Sequence, residues 1–324
     1  MTNFNEIKET ISSELDELNI IIRQSLSSKS ELLNEIVAKY LTTKGKQIRP
    51  IIVILSANFF DRANEYVLNG AAAIELLHNA SLIHDDVVDE TKTRRGKATI
   101  NSVWDNHIAV LVGDFFVSNA LSCAIASGDI RVVKVISELG KELSTGEIDQ
   151  IDIAKHHNIN EKNYFQIINK KTASLFRSCV QVAGYSVKAN DEDIEKLSRF
   201  VELLGLCFQI KDDIFDYFKD DTIGKPTGND LREGKITLPL IYALGKEEAP
   251  DHAEMKALAQ KDYLEDAEIE KLIDFAKREG GIEYAYQTME HLREEACNIL
   301  KGYPENEAKS SFISLFDYII KRHY

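Results

Sequence analysis

The sequence predicts an all-α fold, and three observations lead to this prediction. Proline is scarce, with 5 residues in a chain of 324, and a proline inside a helix costs about 3 kcal/mol. Apolar residues recur at the three- and four-residue spacing of a helix along most of the chain. No segment alternates apolar and polar residues for long enough to indicate a strand, and no Pro- or Ser-rich linker is present. We therefore expect a single helical domain over residues 1–324.

The predicted helices follow one another from the N-terminus. The first repeats apolar residues over 6–22, the second covers 32–40, and Arg49-Pro50 opens the third, because proline suits a first helical turn. Gly280-Gly281 marks a stop between two shorter C-terminal helices. Five long apolar helices are expected over residues 65–88, 104–126, 130–153, 161–183 and 191–218.

Charge and cysteine content limit the kinds of partner. The chain has 53 acidic and 39 basic residues and a formal net charge of −14. Nucleic-acid binding depends on Lys and Arg at phosphates, so this acidity disfavours it, although a local basic patch would still suit a small phosphorylated ligand. Residues 1–18 lack the apolar segment of a signal peptide, and the four cysteines are isolated from one another. We expect a reduced, cytoplasmic protein.

Two acidic clusters share the pattern Asp-Asp-x-x-Asp, at 85–89 and 212–216, and each ends a predicted apolar helix. Residues four apart share a helix face, so we expect the first and last Asp of each cluster to lie one above the other. Like charges placed in this way repel unless a cation neutralises them. Hard carboxylate oxygens suit Mg²⁺, which also shares substrate phosphates. The six predicted ligands are Asp85, Asp86, Asp89, Asp212, Asp213 and Asp216.

Basic residues lie close to both clusters in the sequence. Arg94-Arg95-Gly96 follows the first cluster, and Gly224-Lys225-Pro226 follows the second. Lys170-Lys171-Thr172 lies between them. A guanidinium group matches phosphate oxygens with two parallel hydrogen bonds, and Lys supplies a point charge. The pattern indicates a diphosphate ligand.

With these motifs, and with Gly45-Lys46-x-x-Arg49-Pro50 before them, the chain resembles the trans-isoprenyl diphosphate synthases, the polyprenyl synthetase family. The resemblance runs from about residue 44 to residue 286. It implies about ten core helices around a deep central cavity, usually in a homodimer. It also implies the reaction: an allylic diphosphate held by two or three Mg²⁺ ions ionises, the double bond of isopentenyl diphosphate attacks the carbocation, and a proton is lost. Two departures from the family pattern are Lys44 in place of a Gly and Gln47 in place of a common Arg.

The resemblance also implies a role for individual residues. Glu147 and Gln150 would line the cavity, and Thr172 and Gln209 would turn oxygen dipoles toward the cation. The residues implied to bind the allylic diphosphate are Arg94, Lys171 and Lys225. The residues implied to bind isopentenyl diphosphate are Lys46, Arg49, His78 and Arg95. The residues implied to take part in the chemistry are Lys171, Thr172, Gln209 and Lys225.

Product length follows from helix geometry. One helical turn rises about 5.4 Å, close to the reach of one isoprene unit, and the small residues Ala80 and Ser81 lie one turn before Asp85. Short-chain members of the family carry aromatic residues there, so we expect a long-chain product of roughly seven to eleven units, as in quinone side chains. Leu77 lies deeper along the tail. We expect transient membrane contact when so apolar a product is released. The alternative is that these residues only pack a helix–helix contact.

Other functions remain open at this point. A short-chain farnesyl or geranylgeranyl diphosphate synthase differs only in product length. A metal-dependent phosphohydrolase built around His84-Asp85 would need further His ligands. A class I terpene cyclase would have no use for Lys46 and Arg49 as a second diphosphate site. A regulatory subunit of a heteromeric synthase should have lost one acidic cluster, and both are intact.

Overall fold

The computed structural model describes residues 4–42, 45–94, 96–157, 160–218 and 227–322, and it confirms the all-α prediction. Within these residues the only strands are a two-residue antiparallel pair, Thr93–Arg94 (β1) with Lys97–Ala98 (β2). The α-helices are α1 (Phe4–Thr10), α2 (Ser12–Ser25), α3 (Glu31–Leu41), α4 (Ile48–Phe60), α5 (Glu65–Val88), α6 (Ile100–Val103), α7 (Asn106–Ala126), α8 (Ile130–Lys155), α9 (Glu161–Ile168), α10 (Ser174–Ser186), α11 (Asp191–Phe215), α12 (Asn229–Arg232), α13 (Leu238–Leu244), α14 (His252–Ala259), α15 (Asp266–Arg278), α16 (Gly281–Leu300) and α17 (Glu307–Lys321).

The predicted helix bounds hold for α5 and differ elsewhere. The first predicted helix breaks at Ile11, whose φ and ψ of −122° and 22° are not helical. The helix predicted over 161–183 contains a π-helical turn, Asn169–Ala173, between α9 and α10. The predicted stop at the paired glycines is confirmed, since Gly280 adopts a φ of +79° immediately before α16.

The chain forms two compact units. The first consists of Met1–Lys141, Leu175–Ser198 and Pro304–Phe312, and the second of Glu142–Ser174, Arg199–Tyr303 and Ile313–Tyr324. The single domain expected from the sequence, and the central cavity implied by the resemblance, stay predictions. The four cysteines are free thiols, three of them buried and Cys297 partly exposed.

In the first unit, α5 packs along α7 and also contacts α4 and α2. Close packing is possible because small residues face the contact. A Cβ added to Gly113 of α7 would lie 2.1 Å from Nε2 of His84, the residue immediately before the first acidic cluster. Only a glycine at this position lets α7 approach α5 so closely. The α5–α7 pair therefore fixes the helix end that carries the first cluster.

Helix α7 has apolar residues on its outer side as well. By length and composition it would cross a membrane, with a mean hydropathy of 1.9. However, 39% of that window is buried within the protein, against α5 among other elements. Val110, Leu111, Leu121 and Ile125 remain exposed. One side of α7 thus belongs to the core, and the other is an exposed apolar face.

In the second unit, α11 carries a buried apolar stripe that includes Leu203, Leu204, Ile210 and Ile214. Helix α13 begins with Pro239 in its first turn and packs against α15 and α16. Nζ of Lys211, on α11 next to the second acidic cluster, donates to the hydroxyl of Tyr286 on α16 at 2.9 Å.

Candidate active site

The first acidic cluster caps the C-terminal end of α5. The backbone N–H of Asp89 donates to the carbonyl oxygen of Asp85 (2.8 Å), so these two residues share a helix face as the spacing predicts. Asp85 is half-buried and Asp89 is exposed. Asp86 is buried, and its Oδ1 accepts a hydrogen bond from Nε of Arg94 at 2.7 Å. Burial raises the pKa of Asp86, and the charge of Arg94 opposes this rise.

This ion pair also sets the position of Arg94. The residue lies in β1 of the short hairpin that follows α5, and its side chain is 36% exposed. Nδ2 of Asn101 donates to the backbone oxygens of Asp86 (3.0 Å) and Thr91 (3.2 Å) and so ties the hairpin base to the helix end. A guanidinium group is therefore held beside the cluster and partly in solvent.

His84 braces the same helix end from the other side. Its Nε2 lies 3.2 Å from the carbonyl oxygen of Val110 and 3.5 Å from Oδ1 of Asp114, both on α7. The space for the ring comes from Gly113. The imidazole of His84 connects α5 to α7, so His84 has a structural role.

The second cluster departs from the predicted geometry at its last member. Helix α11 ends at Phe215, so Asp216 lies in the following turn and does not stack above Asp212 on a helix face; that expectation was wrong. The physical reason is a competing interaction. Oδ1 and Oδ2 of Asp216 accept hydrogen bonds from the backbone N–H groups of Asn229 and Asp230, each at 3.0 Å. This carboxylate satisfies N–H groups at the start of α12 that have no helical partner.

Asp213 is buried within a chain of hydrogen bonds. Its Oδ2 accepts from the hydroxyl of Tyr164 (2.7 Å), and its Oδ1 accepts from Nε2 of Gln209 (2.8 Å). The side-chain oxygen Oε1 of Gln209 in turn accepts from the Thr172 hydroxyl at 2.8 Å. Burial raises the pKa of Asp213 to about 7, although both hydrogen bonds oppose the rise. Thr172 and Gln209, which were predicted separately, thus lie in one network with an acidic residue.

The sequence interpretation missed two members of this neighbourhood. Tyr164 lies on α9, 49 residues before Asp213, and no spacing rule connects the two positions. Asp230 lies outside both acidic motifs. Burial, followed by the charges of Asp213 and Asp216, raises the pKa of Asp230 well above its ordinary value. In the sequence, the only sign of Asp230 was its acidic side chain two residues after Gly228.

Lys171 lies in the π-helical turn, a feature that often marks functional sites. Its Nζ forms an ion pair with Glu147 and donates to Oε1 of Gln150 at 3.0 Å. A Cβ at Gly146 would meet Cβ of Lys170 at 2.9 Å, so this glycine lets α8 approach the turn. Glu147 and Gln150, expected to line the cavity, hold the ammonium group of Lys171.

Asp212 is more exposed than its buried neighbour Asp213. Its side chain is 41% exposed, and its Oδ1 accepts a hydrogen bond from Nη2 of Arg322 at 2.5 Å. Arg322 was not among the predicted site residues, because it stands 110 residues away at the end of α17.

The residues predicted to bind isopentenyl diphosphate differ in burial and in the element that carries them. Lys46 is exposed in the loop before α4, and Arg49 is half-buried in the first turn of that helix. His78 is buried on α5. Arg95 of this set, Lys225 of the allylic set and the departure Lys44 lie outside the described residues.

The three chain-length positions do not share one face of α5. Ala80 and Leu77 precede His84 by four and seven residues and lie on the side that faces α7, where both are buried. Ser81 precedes Asp85 by four residues, is half-exposed, and donates from its hydroxyl to the carbonyl oxygen of His78 at 2.9 Å. The position directly below the acidic cluster is therefore Ser81.

The six aspartates predicted to bind Mg²⁺ differ in exposure and in their hydrogen bonds. Within the described ranges, no three His, Cys, Asp or Glu side chains converge closely enough to hold a metal by themselves. Mg²⁺ is usually bound by one or two carboxylates together with water and substrate phosphates. Asp86, Asp213 and Asp216 use their oxygens in the hydrogen bonds described above. Asp89 is exposed, Asp85 is half-buried and the side chain of Asp212 is 41% exposed, and the hard oxygen donors of these three residues fit Mg²⁺.

Comparison with known proteins identifies the family. The chain matches the family model described as Polyprenyl synthetase over residues 30–276. The chain belongs to the polyprenyl synthetase family. It is 33% identical to the octaprenyl diphosphate synthase of Escherichia coli (strain K12) over 321 residues, 99% of each chain. It is 35% identical to the heptaprenyl diphosphate synthase component 2 of Geobacillus stearothermophilus over 280 residues, 86% of each chain.

A solved structure gives the same result for the fold. The crystal structure of a decaprenyl diphosphate synthase from Rhodobacter capsulatus superimposes with a TM-score of 0.92 at 29% identity, covering 98% of both chains. The isoprenoid synthase fold is confirmed, and so is the prediction that this polyprenyl synthetase is an enzyme of the prenyltransferase class.

Proposed function

We propose that the protein is a long-chain trans-polyprenyl diphosphate synthase. It adds isopentenyl diphosphate head-to-tail to an allylic diphosphate primer, giving roughly seven to eleven isoprene units at one helical turn per unit. The observation that carries this proposal is the match to the octaprenyl diphosphate synthase over 99% of both chains. A cytoplasmic location, the use of the product in quinone side chains, a single domain and brief membrane contact during release are parts of the proposal that rest on the sequence.

The metal-binding carboxylates in this proposal are Asp85, Asp89 and Asp212, whose side chains are exposed or half-buried. Two to three Mg²⁺ ions bound there would supply positive charge against the diphosphate that leaves. Asp86 and Asp213 orient other residues of the site. Asp86 accepts a hydrogen bond from Arg94, and Asp213 accepts one from Gln209.

Lys171 and Arg94 bind the allylic diphosphate, together with Lys225. Each described cation is already oriented, Lys171 by Glu147 and Gln150 and Arg94 by Asp86. Cations fixed in this way stabilise the charge that develops on the leaving group without reorganising at the moment of reaction. The allylic C–O bond breaks, the double bond of isopentenyl diphosphate attacks the cation, and the proton passes to the released pyrophosphate. This electrophilic alkylation needs no side-chain nucleophile.

The second substrate is bound by basic residues at the start of α4. Lys46 and Arg49 hold the diphosphate of isopentenyl diphosphate, with His78 and Arg95 completing the set. Lys46 is exposed and so is able to bind an arriving ligand, whereas Arg49 is half-buried in the helix itself. Arg49 therefore supplies a fixed fork for two phosphate oxygens.

The exposed apolar face of α7 supports a homodimer. Leu111 and Ile125 are 63% and 69% exposed on one helix, and Val110 and Leu121 are exposed as well; exposed apolar surface of this kind marks an interaction site. Light scattering should give twice the chain mass for the wild type and a lower mass for Leu111→Glu. Tyr263→Glu, at a 79% exposed site that is not part of α7, is the control and should keep the wild-type mass. A monomeric wild type would contradict the homodimer.

A direct assay tests the enzyme reaction. The purified chain is incubated with isopentenyl diphosphate, an allylic primer and Mg²⁺, and the products are separated by chromatography. We expect long-chain products that disappear with a chelator. Asp85→Asn and Asp212→Asn should each lower the rate by about 10²-fold or more, whereas Asp262→Asn, at a 96% exposed side chain, should not. No chain growth by the wild type would contradict the proposal, and short products would favour a farnesyl or geranylgeranyl diphosphate synthase.

A second candidate follows from the relative that is named component 2 of a heptaprenyl diphosphate synthase. The chain would then work only with a second, different protein. Activity of the purified chain alone excludes this arrangement, and growth that appears only on adding a cell extract supports it.

A further inference from the structure

A buried arginine contacts the second acidic cluster from the far end of the chain. Arg322 follows α17 directly, and its side chain is 6% exposed. Nη2 donates to Oδ1 of Asp212 at 2.5 Å and to the carbonyl oxygen of Phe208 at 3.0 Å. The guanidinium carbon lies 4.3 Å from the ring centre of Phe208 and 5.4 Å from that of Phe215. Two aromatic rings and two oxygens, all on α11, therefore define the orientation of one cation.

This arrangement is an expensive way to stabilise a fold. Removing a guanidinium and a carboxylate from water costs several kcal/mol per ion, and a buried pair often gives no net stabilisation. Nε of Arg322 is buried and has no hydrogen-bond partner among the described residues, which adds about 1–3 kcal/mol. Stability alone therefore gives a poor account of Arg322.

The effect of Arg322 on Asp212 explains the buried arginine better. Asp212 is followed directly by Asp213, so the carboxylate of Asp212 has an acidic neighbour. Arg322 holds one oxygen of Asp212 while 41% of the side chain stays exposed. When a residue that hydrogen-bonds to a metal-ligating side chain and orients it is removed, the metal affinity typically falls by about 10–100-fold.

We propose that Arg322 is a positioning residue for Asp212: it fixes the carboxylate in the orientation that binds the metal–diphosphate pair. This inference rests on the proposed function, because it takes Asp212 to be a metal ligand. The C-terminal segment thereby becomes part of the site, although it contains no acidic motif.

The test measures binding and not turnover. Inorganic pyrophosphate is titrated into the full-length chain by calorimetry at a series of Mg²⁺ concentrations. Arg322→Gln should raise the Mg²⁺ concentration for half-maximal pyrophosphate binding by about tenfold or more. Arg322→Lys keeps the charge but loses the planar fork, so it should restore part of the wild-type value.

The control is a second arginine that holds the same helix. Nη2 of Arg293 lies 2.7 Å from Oδ1 of Asp317 on α17, and neither residue belongs to the acidic cluster. Arg293→Gln should lower the melting temperature but leave the Mg²⁺ midpoint unchanged. If Arg322→Gln does not fold, Phe208→Leu weakens the stacking on Arg322 without removing a charge, and it should shift the midpoint in the same direction.

An unchanged or lower Mg²⁺ midpoint in Arg322→Gln, or in Phe208→Leu where that variant is needed, would overturn the inference. So would an equal shift in Arg293→Gln, since the effect would then come from loosening α17. Prenyl transfer by the wild type is scored separately. If the wild type elongates primers and Arg322→Gln binds Mg²⁺ normally, the proposed function stands and the role of Arg322 does not.

Discussion

Replacing Asp213 with Asn should remove a large pH dependence from the stability of the protein. Burial raises the pKa of Asp213 to about 7, against an ordinary value of 3.8. Between these two values the folded chain keeps a proton that the unfolded chain releases. The free energy of unfolding therefore falls as the pH rises through this interval, and the loss is complete above pH 7.

The magnitude follows from the two pKa values. The full difference corresponds to on the order of 4 kcal/mol, of which about 3 kcal/mol is lost between pH 5 and pH 8. Asn carries no charge, so Asp213→Asn lacks this fall. The altered hydrogen bonds to Tyr164 and Gln209 add a constant difference, which is why the two pH profiles are compared by slope.

The assay is urea unfolding at several pH values with a chelator present, so that no metal ion neutralises the cluster. Stability of the wild type relative to Asp213→Asn should drop by about 3 kcal/mol from pH 5 to pH 8. Tyr164→Phe removes a hydrogen bond that favours the ionised form, so the pKa of Asp213 should rise further and the fall should extend to higher pH. Asp89→Asn makes the same chemical change at an exposed site and serves as the control. Parallel profiles for the wild type and Asp213→Asn would refute the reasoning.

Further predictions concern α5 and its neighbours. Gly113→Ala places a methyl group 2.1 Å from Nε2 of His84 and should lower the free energy of unfolding by about 1–3 kcal/mol; Gly140→Ala, where the added methyl group meets nothing within 4 Å, should be neutral or stabilise by up to about 1 kcal/mol, and equal denaturation midpoints would contradict the steric argument. Ser81→Phe should shorten the products separated by chromatography, because Ser81 lies directly below the acidic cluster. Ala80→Phe should also shorten them but with a lower melting temperature, since Ala80 is 1% exposed; an unchanged product distribution in both variants would contradict the tail path along α5.

Sequence periodicity predicted the elements that carry the chemistry. The bounds of α5 agree with the prediction, and both acidic clusters begin at helix ends as expected. These features depend on local patterns, an apolar stripe and a charged end, which a sequence records directly. The same is true of the glycine stop before α16.

Local sequence patterns could not predict hydrogen bonds between residues that are far apart in the chain. Asp213 and Asp216 look alike in the motif, yet one accepts from Tyr164 on another helix and the other accepts from backbone N–H groups of α12. Arg322 reaches Asp212 across 110 residues. A carboxylate's neighbours decide whether it is open to a metal, and contacts of this sequence separation leave no periodic trace.

The composition of α7 has a consequence for how the protein is made. A helix with the hydropathy of a membrane span is a hazard while it is still emerging from the ribosome, because insertion and aggregation compete with folding. Its packing partner α5 is synthesised first, and the two are neighbours in sequence, so the contact forms with little loop-closure entropy to overcome. Order of synthesis thus shelters one side of α7 before any second copy is available to cover the other.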